Sequence, residues 1–299
     1  MERDLFIITV YSLVAEIMPI IQKSMPFRTK GYAPQFTDAE VITLEICGEF
    51  FKLHEDTAIY QYFKQHYLHY FPKLPSRTTF VRQAANLWQV KVACQSLLVQ
   101  RAGQQLDPVQ SIDTLPLPVC TYTRGGFRDK RFPTVADWGH CAAKQMDYYG
   151  FKLGLRISRA GMITHFPLLA ARPHDVNHLG SLIEGFRGVV AADKGFIDEY
   201  QQQLWYATQQ TQVVTPVRQN MESSPAALKL VRKTKYWRKL VETVGSQLTE
   251  RFQVAKIKVK DLWHYQHRLF RKILSHTVAV FLNLQLGHKP LQLALLSEV

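Results

Sequence analysis

At Gly103 the spacing of apolar residues along the chain changes, and that change limits the possible folds more than any other feature. Before it, apolar residues recur at three- and four-residue intervals, as on helices. After it come short alternating or continuous apolar runs, as in strands. Residues 1–105 therefore read as a helical region. Residues 106–299 read as α/β, because early strands followed by alternating helices and strands build a mixed sheet.

In the helical region, Phe6, Val10, Leu13, Ile17 and Ile20 fall on one helical face. Glu2 and Asp4 offset Arg3 where a signal peptide needs positive charge, so this apolar stretch reads as an amphipathic core helix. No uninterrupted apolar run reaches the ~20 residues of a membrane span. Thr37-Asp38-Ala39-Glu40 fits a capping box, and Ile42, Ile46, Phe50 and Leu53 continue an apolar stripe after it. Pro72 and Pro75 break the pattern before Ser76. That serine can cap a helix running through Leu87 and Trp88 towards Leu98. Short helices joined by tight turns suit either a helix-turn-helix or a plain bundle.

Beyond Gly103, residues 109–113 suit a short strand ended by Pro116 and Pro118. Residues 148–157 alternate like a half-buried strand. Residues 162–170 give another, disturbed by Pro167, with a turn at Gly161 between them. A helix is expected over 176–186. The apolar run 189–192 suits a strand covered on both faces. A helix at 197–207, a strand at 211–217 and helices at 236–253 and 261–286 complete the pattern.

Three carboxylates stand out. Asp113 ends the first strand and Asp193 ends the buried one, and ligands of open α/β sheets bind outside the carboxyl ends of strands. Like charges buried together are costly, and a divalent cation relieves that cost; ligands offering only oxygen suit Mg²⁺ or Mn²⁺. Glu242 lies at the edge of a helical stripe formed by Trp237, Leu240 or Val241, Val244, Leu248 and Phe252. Gly245 and Ser246 would let a backbone or DNA approach closely. Taken singly, each acid has a plainer explanation. Arg238 and Glu242 are spaced as a surface ion pair, and an Asp after a strand is often a turn residue.

The formal net charge of +13 favours a polyanionic partner, which can be DNA, RNA or an anionic membrane. Lys229, Arg232, Lys233, Lys235, Arg238 and Lys239 form an acid-free stretch with Tyr236 and Trp237 interleaved, suited to phosphate contact and base stacking or to a solvated helix face. Arg268, Arg271 and Lys272 form a second basic group. Cys47, Cys94, Cys120 and Cys141 make no C-x-x-C pair, and reduced thiols are expected. His140, Cys141, His174, Asp175 and His178 follow no known zinc spacing.

Several segments resemble bacterial insertion-sequence transposases of the DDE type, most closely the insertion-sequence 982 family. They are Phe36-Thr-Asp-Ala-Glu-Val-Ile-Thr-Leu44, Leu74-Pro-Ser-Arg-Thr-Thr-Phe-Val-Arg82, Ile112-Asp-Thr-Leu-Pro-Leu-Pro-Val-Cys120, Tyr149-Gly-Phe-Lys-Leu153, Ala192-Asp-Lys-Gly-Phe196 and Val241-Glu-Thr-Val-Gly-Ser-Gln-Leu248. The likeness covers nearly the whole chain in the same order. It implies a ribonuclease H-like mixed sheet flanked by helices over 106–299, behind an all-helical DNA-binding region over 1–105. It further implies that Asp113, Asp193 and Glu242 hold two divalent ions, Mg²⁺ or Mn²⁺, for strand cleavage and transfer. Lys194, Arg232, Lys233, Lys235, Arg238 and Lys239 would contact DNA, as would Arg77 and Arg82, with Asp175 supporting the site. The partners implied are the terminal inverted repeats, target DNA and further copies of the chain, in a bacterial cytoplasm at the nucleoid and with no membrane. The chain departs from related transposases in having Lys235 and Thr249 where those place a Tyr and a Lys. Tyr236 is a candidate substitute for the first, while the role of the second is left unfilled or passes to Arg251 or Lys256. A nuclease that does not transpose and a DNA-binding protein without catalysis remain as alternatives.

Overall fold

The computed structural model describes residues 1–28, 32–125, 132, 135–141, 145–217 and 225–296, apart from the side chains of 226 and 227. The chain divides into two compact units: Met1–Ala102 with Leu248–Val299, and Gly103–Gln247. The expected boundary at 105 lies close to the first crossing between units. The segment after Leu248, however, groups with the N-terminal helices rather than with the sheet.

The first unit is helical: α1 (Arg3–Ser24), α2 (Asp38–Phe50), α3 (Asp56–His66), α4 (Arg77–Asn86), α5 (Trp88–Arg101) and, from the far end of the chain, α9 (Leu262–Gln285). The Thr37 hydroxyl accepts from the Glu40 N–H while the Glu40 carboxylate accepts from the Thr37 N–H, closing the expected capping box on α2. Ser76 caps α4 through the Thr79 N–H. The single helix expected after Ser76 is instead two, α4 and α5, parted at Leu87. In α1 the buried residues are Phe6, Ile7, Val10, Val14, Ile17 and Ile21, whereas Ile20 is exposed, so the buried face is rotated slightly from the expected one. By length and composition alone α1 also qualifies as a membrane span.

α9 is buried continuously from Leu269 to Asn283, as befits the central helix of a bundle. Its cations are buried too. Arg271 Nε donates to Glu49 Oε1 at 2.7 Å, Arg271 also pairs with Asp56, and Lys272 lies 2.9 Å from Glu49. Lys91 pairs with Glu45 at 2.6 Å and donates to His267 Nδ1 at 2.7 Å. Arg271 and Lys272 thus neutralise core acids, and their place in a basic surface group is corrected. Arg268 also pairs with Asp56, at 2.7 Å, from the edge of this network.

The second unit holds β1 (Val109–Thr121), β2 (Asp137–Cys141), β3 (Met146–Ser158), β4 (Ile163–His165), β5 (Leu168–Ala170), α6 (Leu179–Ile183), β6 (Gly188–Ala191), α7 (Glu199–Gln209), β7 (Thr211–Val214) and α8 (Pro225–Ser246). Its sheet runs β2-β3-β1-β6-β7, with β4 and β5 also paired to β3. The first pairings are antiparallel; β1–β6 and β6–β7 are parallel. This is a mixed sheet flanked by helices.

β1 does not stop at Pro116 but continues to Thr121 along β3. Its pairing with β6 ends at Ser111. Pro116 and Pro118 are two residues apart, so their missing donors face one edge, and past Ser111 one edge of β1 is free of β6. β3, expected to be half-buried, is buried on both faces from Tyr148 to Ser158. Its glycines explain the difference: a Cβ on Gly154 would come within 2.6 Å of Leu182, so the missing side chain lets α6 settle onto the strand. Pro167 splits the strand expected at 162–170 into β4 and β5.

Candidate active site

The register of the sheet brings the first two carboxylates to the same end of adjacent parallel strands. Ser111 on β1 is the partner of Ala191 on parallel β6. Asp113 and Asp193 each lie two residues beyond that pair, on adjacent chains running the same way. Asp193 leads into a single 3-10 turn, Lys194–Phe196, whose Phe196 is anchored in the core with Ile112, Val190 and Ala192. That anchor fixes the backbone of Asp193 while leaving its carboxylate exposed.

α8 supplies the third acid. Val241 and Val244 are buried beneath it, and Gly245 sits against Leu115 of β1, where a Cβ would meet the leucine at 3.0 Å. Gly245 therefore lets the helix approach the sheet closely at this point. Arg238, one turn before Glu242, donates to Glu242 Oε1 at 2.9 Å and to Asp193 Oδ1 at 3.5 Å. The neighbouring Trp237 lies under the Arg159 guanidinium at 5.8 Å, and Arg159 is held by Asp107 at 2.8 Å.

Asp175 joins the group. Its Oδ1 accepts from the Thr114 hydroxyl at 2.8 Å and from Lys152 Nζ at 2.9 Å. Lys152 is itself buried on β3 and also donates to the Pro173 carbonyl. Thr114 and Lys152 received no role from sequence reasoning. Their signal lay in Tyr149-Gly-Phe-Lys-Leu153, where a lysine stands among core residues of a buried strand.

Asp113 feels the charges of the other three acids. Burial pushes the Asp113 carboxyl up to about 7; the Thr114 N–H bonded to it acts the other way, and the charges of Asp175, Asp193 and Glu242 add to the rise. Among the described residues, no three His, Cys, Asp or Glu side chains stand close enough to share one ion. Arg238 occupies the space between Asp193 and Glu242. The donor chemistry nevertheless fits a hard divalent cation: the ligands offered are carboxylate oxygens, and burial with three acids around it drives Asp113 towards its neutral form.

The expected basic residues divide by unit. Lys194, Arg232, Lys233, Lys235 and Lys239 are exposed around the carboxylates' elements, and Arg238 is a quarter exposed. Arg77 and Arg82 are exposed on α4 in the helical unit. Arg251 also belongs to that unit and lies over the Phe50 ring. His178 bonds the Ala170 carbonyl and His140 bonds Asp147.

A mixed sheet flanked by helices, with acids at adjacent strand ends and on a covering helix, fits a DDE transposase domain. The chain belongs to the transposase DDE domain family, whose model matches residues 103–262. No curated protein and no solved structure matches the chain.

Proposed function

We propose that this transposase cuts the ends of an insertion sequence of the 982 family and joins them to target DNA, with Asp113, Asp193 and Glu242 as its metal-holding carboxylates. The observation that carries this reading is the shared level of Asp113 and Asp193, together with the field that Asp193, Glu242 and Asp175 exert at Asp113. An antiparallel set of strands continued by parallel β6 and β7 supports a ribonuclease H-like core.

Two Mg²⁺ or Mn²⁺ ions held there would activate a water or 3′-hydroxyl and stabilise the leaving oxygen of an in-line phosphodiester displacement. Asp113 must lose its proton at Oδ to act as a ligand. Asp175 keeps the Thr114 hydroxyl and the Lys152 ammonium beside it, so positive charge already lies next to the acids. Arg238, released from Glu242 and Asp193, would turn to a phosphate. Lys194, Arg232, Lys233, Lys235 and Lys239 would follow the DNA backbone.

The catalytic domain begins near residue 106 in this reading, and the region 1–105 binds the transposon ends through Arg77 and Arg82. Several copies of the chain hold two ends together, at the nucleoid in a bacterial cytoplasm.

The test is incubation with Mg²⁺ and DNA carrying the inverted repeats that flank the gene. Joined products that vanish in Asp113→Asn, Asp193→Asn and Glu242→Gln support the reading. Cleavage without joining would indicate a nuclease, and binding without cleavage a protein that only occupies its sites.

A further inference from the structure

The helical unit carries a second basic surface, built by residues from both ends of the chain. A groove of about 600 Å³ runs between α4 and the start of α9, lined by Arg77, Thr78, Arg82, Asn86, Trp263 and Arg268 among others. Just before α9, Lys256, Lys258 and Lys260 alternate along an irregular segment, all exposed, while Ile257 between them is buried. That alternation turns the three ammonium groups to the same, outer side. Arg268 ties the parts together. It donates to the Lys258 carbonyl at 3.2 Å, to Glu55 at 3.0 Å and to Asp56 at 2.7 Å.

The charge on this face is one-sided. Among the described residues, the side chains of Arg77, Arg82, Lys256, Lys258 and Lys260 enter no ion pair or hydrogen bond; Lys256 and Lys258 bond only through their backbones. The neighbouring acids are all engaged: Asp56 and Glu55 by arginines, and Asp261 by the His264 ring and backbone as the cap of α9. Trp263 is 44% exposed even though it stacks edge-on against Trp88, leaving an apolar ring beside the cations.

We propose that this face binds duplex DNA: α4 enters the major groove with Arg77, Thr78 and Arg82, the lysine row neutralises adjoining phosphates, and Trp263 packs on the sugar edge between them. The proposal rests on the reading of the chain as a DNA-joining transposase and adds a surface that the sequence up to residue 105 does not contain. The dimensions agree. α4 has 10 residues, a length of about 15 Å, and a B-form major groove about 12 Å wide admits one helix. Arginine, threonine and asparagine on one helix face are also the side chains that read base edges.

The experiment measures binding by the full-length chain in EDTA, so that strand chemistry plays no part. The probes are labelled duplexes of about 30 base pairs, roughly three helical turns. One carries the DNA flanking the gene and one has random sequence, and single-stranded DNA and RNA of the same length complete the set. Duplex DNA should bind best, with affinity falling as salt rises. The triple variant Lys256→Gln, Lys258→Gln, Lys260→Gln should make the log–log salt slope shallower by roughly 2–3. Arg77→Ala should reduce the preference for the flanking duplex over the random one, by about 5- to 150-fold. Arg82→Gln gives an independent check through one exposed side chain, should the triple variant melt early. An unchanged slope in folded variants overturns the proposal, as does a preference for RNA. If wild-type joining fails while the salt slope responds to the lysines, the catalytic reading falls and this surface stands; joining with an indifferent lysine row is the converse.

Discussion

Lys152 places its ammonium 2.9 Å from Asp175 Oδ1, on the buried strand β3 that pairs with the strand of Asp113. Lys152→Met should therefore leave Asp175 without its cation and in the field of Asp113. Asp175 is 36% exposed, so the cost is below that of a fully buried pair, about 1–3 kcal/mol. Urea unfolding of Lys152→Met, Asp175→Asn and the double variant should show the double recovering part of the loss. Strict additivity would mean that the two side chains do not support each other.

The Asp113 carboxyl gives a pH signature in the metal-free protein. Its pKa is raised from 3.8 to about 7, so the native state holds that proton more tightly than the unfolded chain does. The associated stability is present below the unfolded value and is lost as pH rises through about 7. Asp113→Asn removes the loss. In EDTA, the melting temperature of the variant should gain on that of the wild type between about pH 5 and pH 8. A difference that stays constant with pH would count against the raised carboxyl.

In the helical unit, Arg271 holds Glu49 and Asp56 with almost no exposure. Arg271→Met strands both acids in the core and should cost about 3–5 kcal/mol. Arg271→Lys should recover little of this, since an ammonium cannot reproduce the forked donation to two carboxylates. Denaturant unfolding followed by tryptophan fluorescence checks both.

The same unit should loosen in acid. Burial holds the His276 ring down at about 3, far below its usual 6.5, so the unfolded chain takes up the proton first. Stability from this group is full above about 6.5 and drains as pH falls towards 3. His276→Phe should flatten the decline between those values. A decline of unchanged steepness would place its origin elsewhere.

Gly150 faces the backbone of β1. A Cβ there would lie 2.2 Å from the Leu117 carbonyl oxygen. Gly150→Ala must push β1 away from β3, at a cost of roughly 1–3 kcal/mol, and displace the strand that carries Asp113. Loss of metal-dependent joining alongside lower thermal stability is the expected outcome.

The elements themselves were largely legible from sequence, because caps and periodicity act locally: the Thr37 box and the Ser76 cap lie where their side chains predict. The strand carrying Asp193 was legible from its continuous apolar run. What stayed hidden depends on partners distant in the chain. Pro116 looked like a stop signal because the release of one edge of β1 past Ser111 is a property of β6. Arg271 and Lys272 looked like part of a second basic group because the acids that neutralise them stand more than two hundred residues earlier. Lys152 was passed over for the same reason, its acid lying on a different loop.

The return of Leu248–Val299 to the N-terminal helices has a consequence for synthesis on the ribosome. Glu49 and Asp56 are made early, but Arg271 and Lys272, which neutralise them, emerge only after the whole sheet has been translated. The first hundred residues therefore wait, with two acids still needing water, until the last long helix arrives. The core of the helical unit is thereby complete only once α9 is made, and a nascent chain halted before α9 should be a ready substrate for proteolysis.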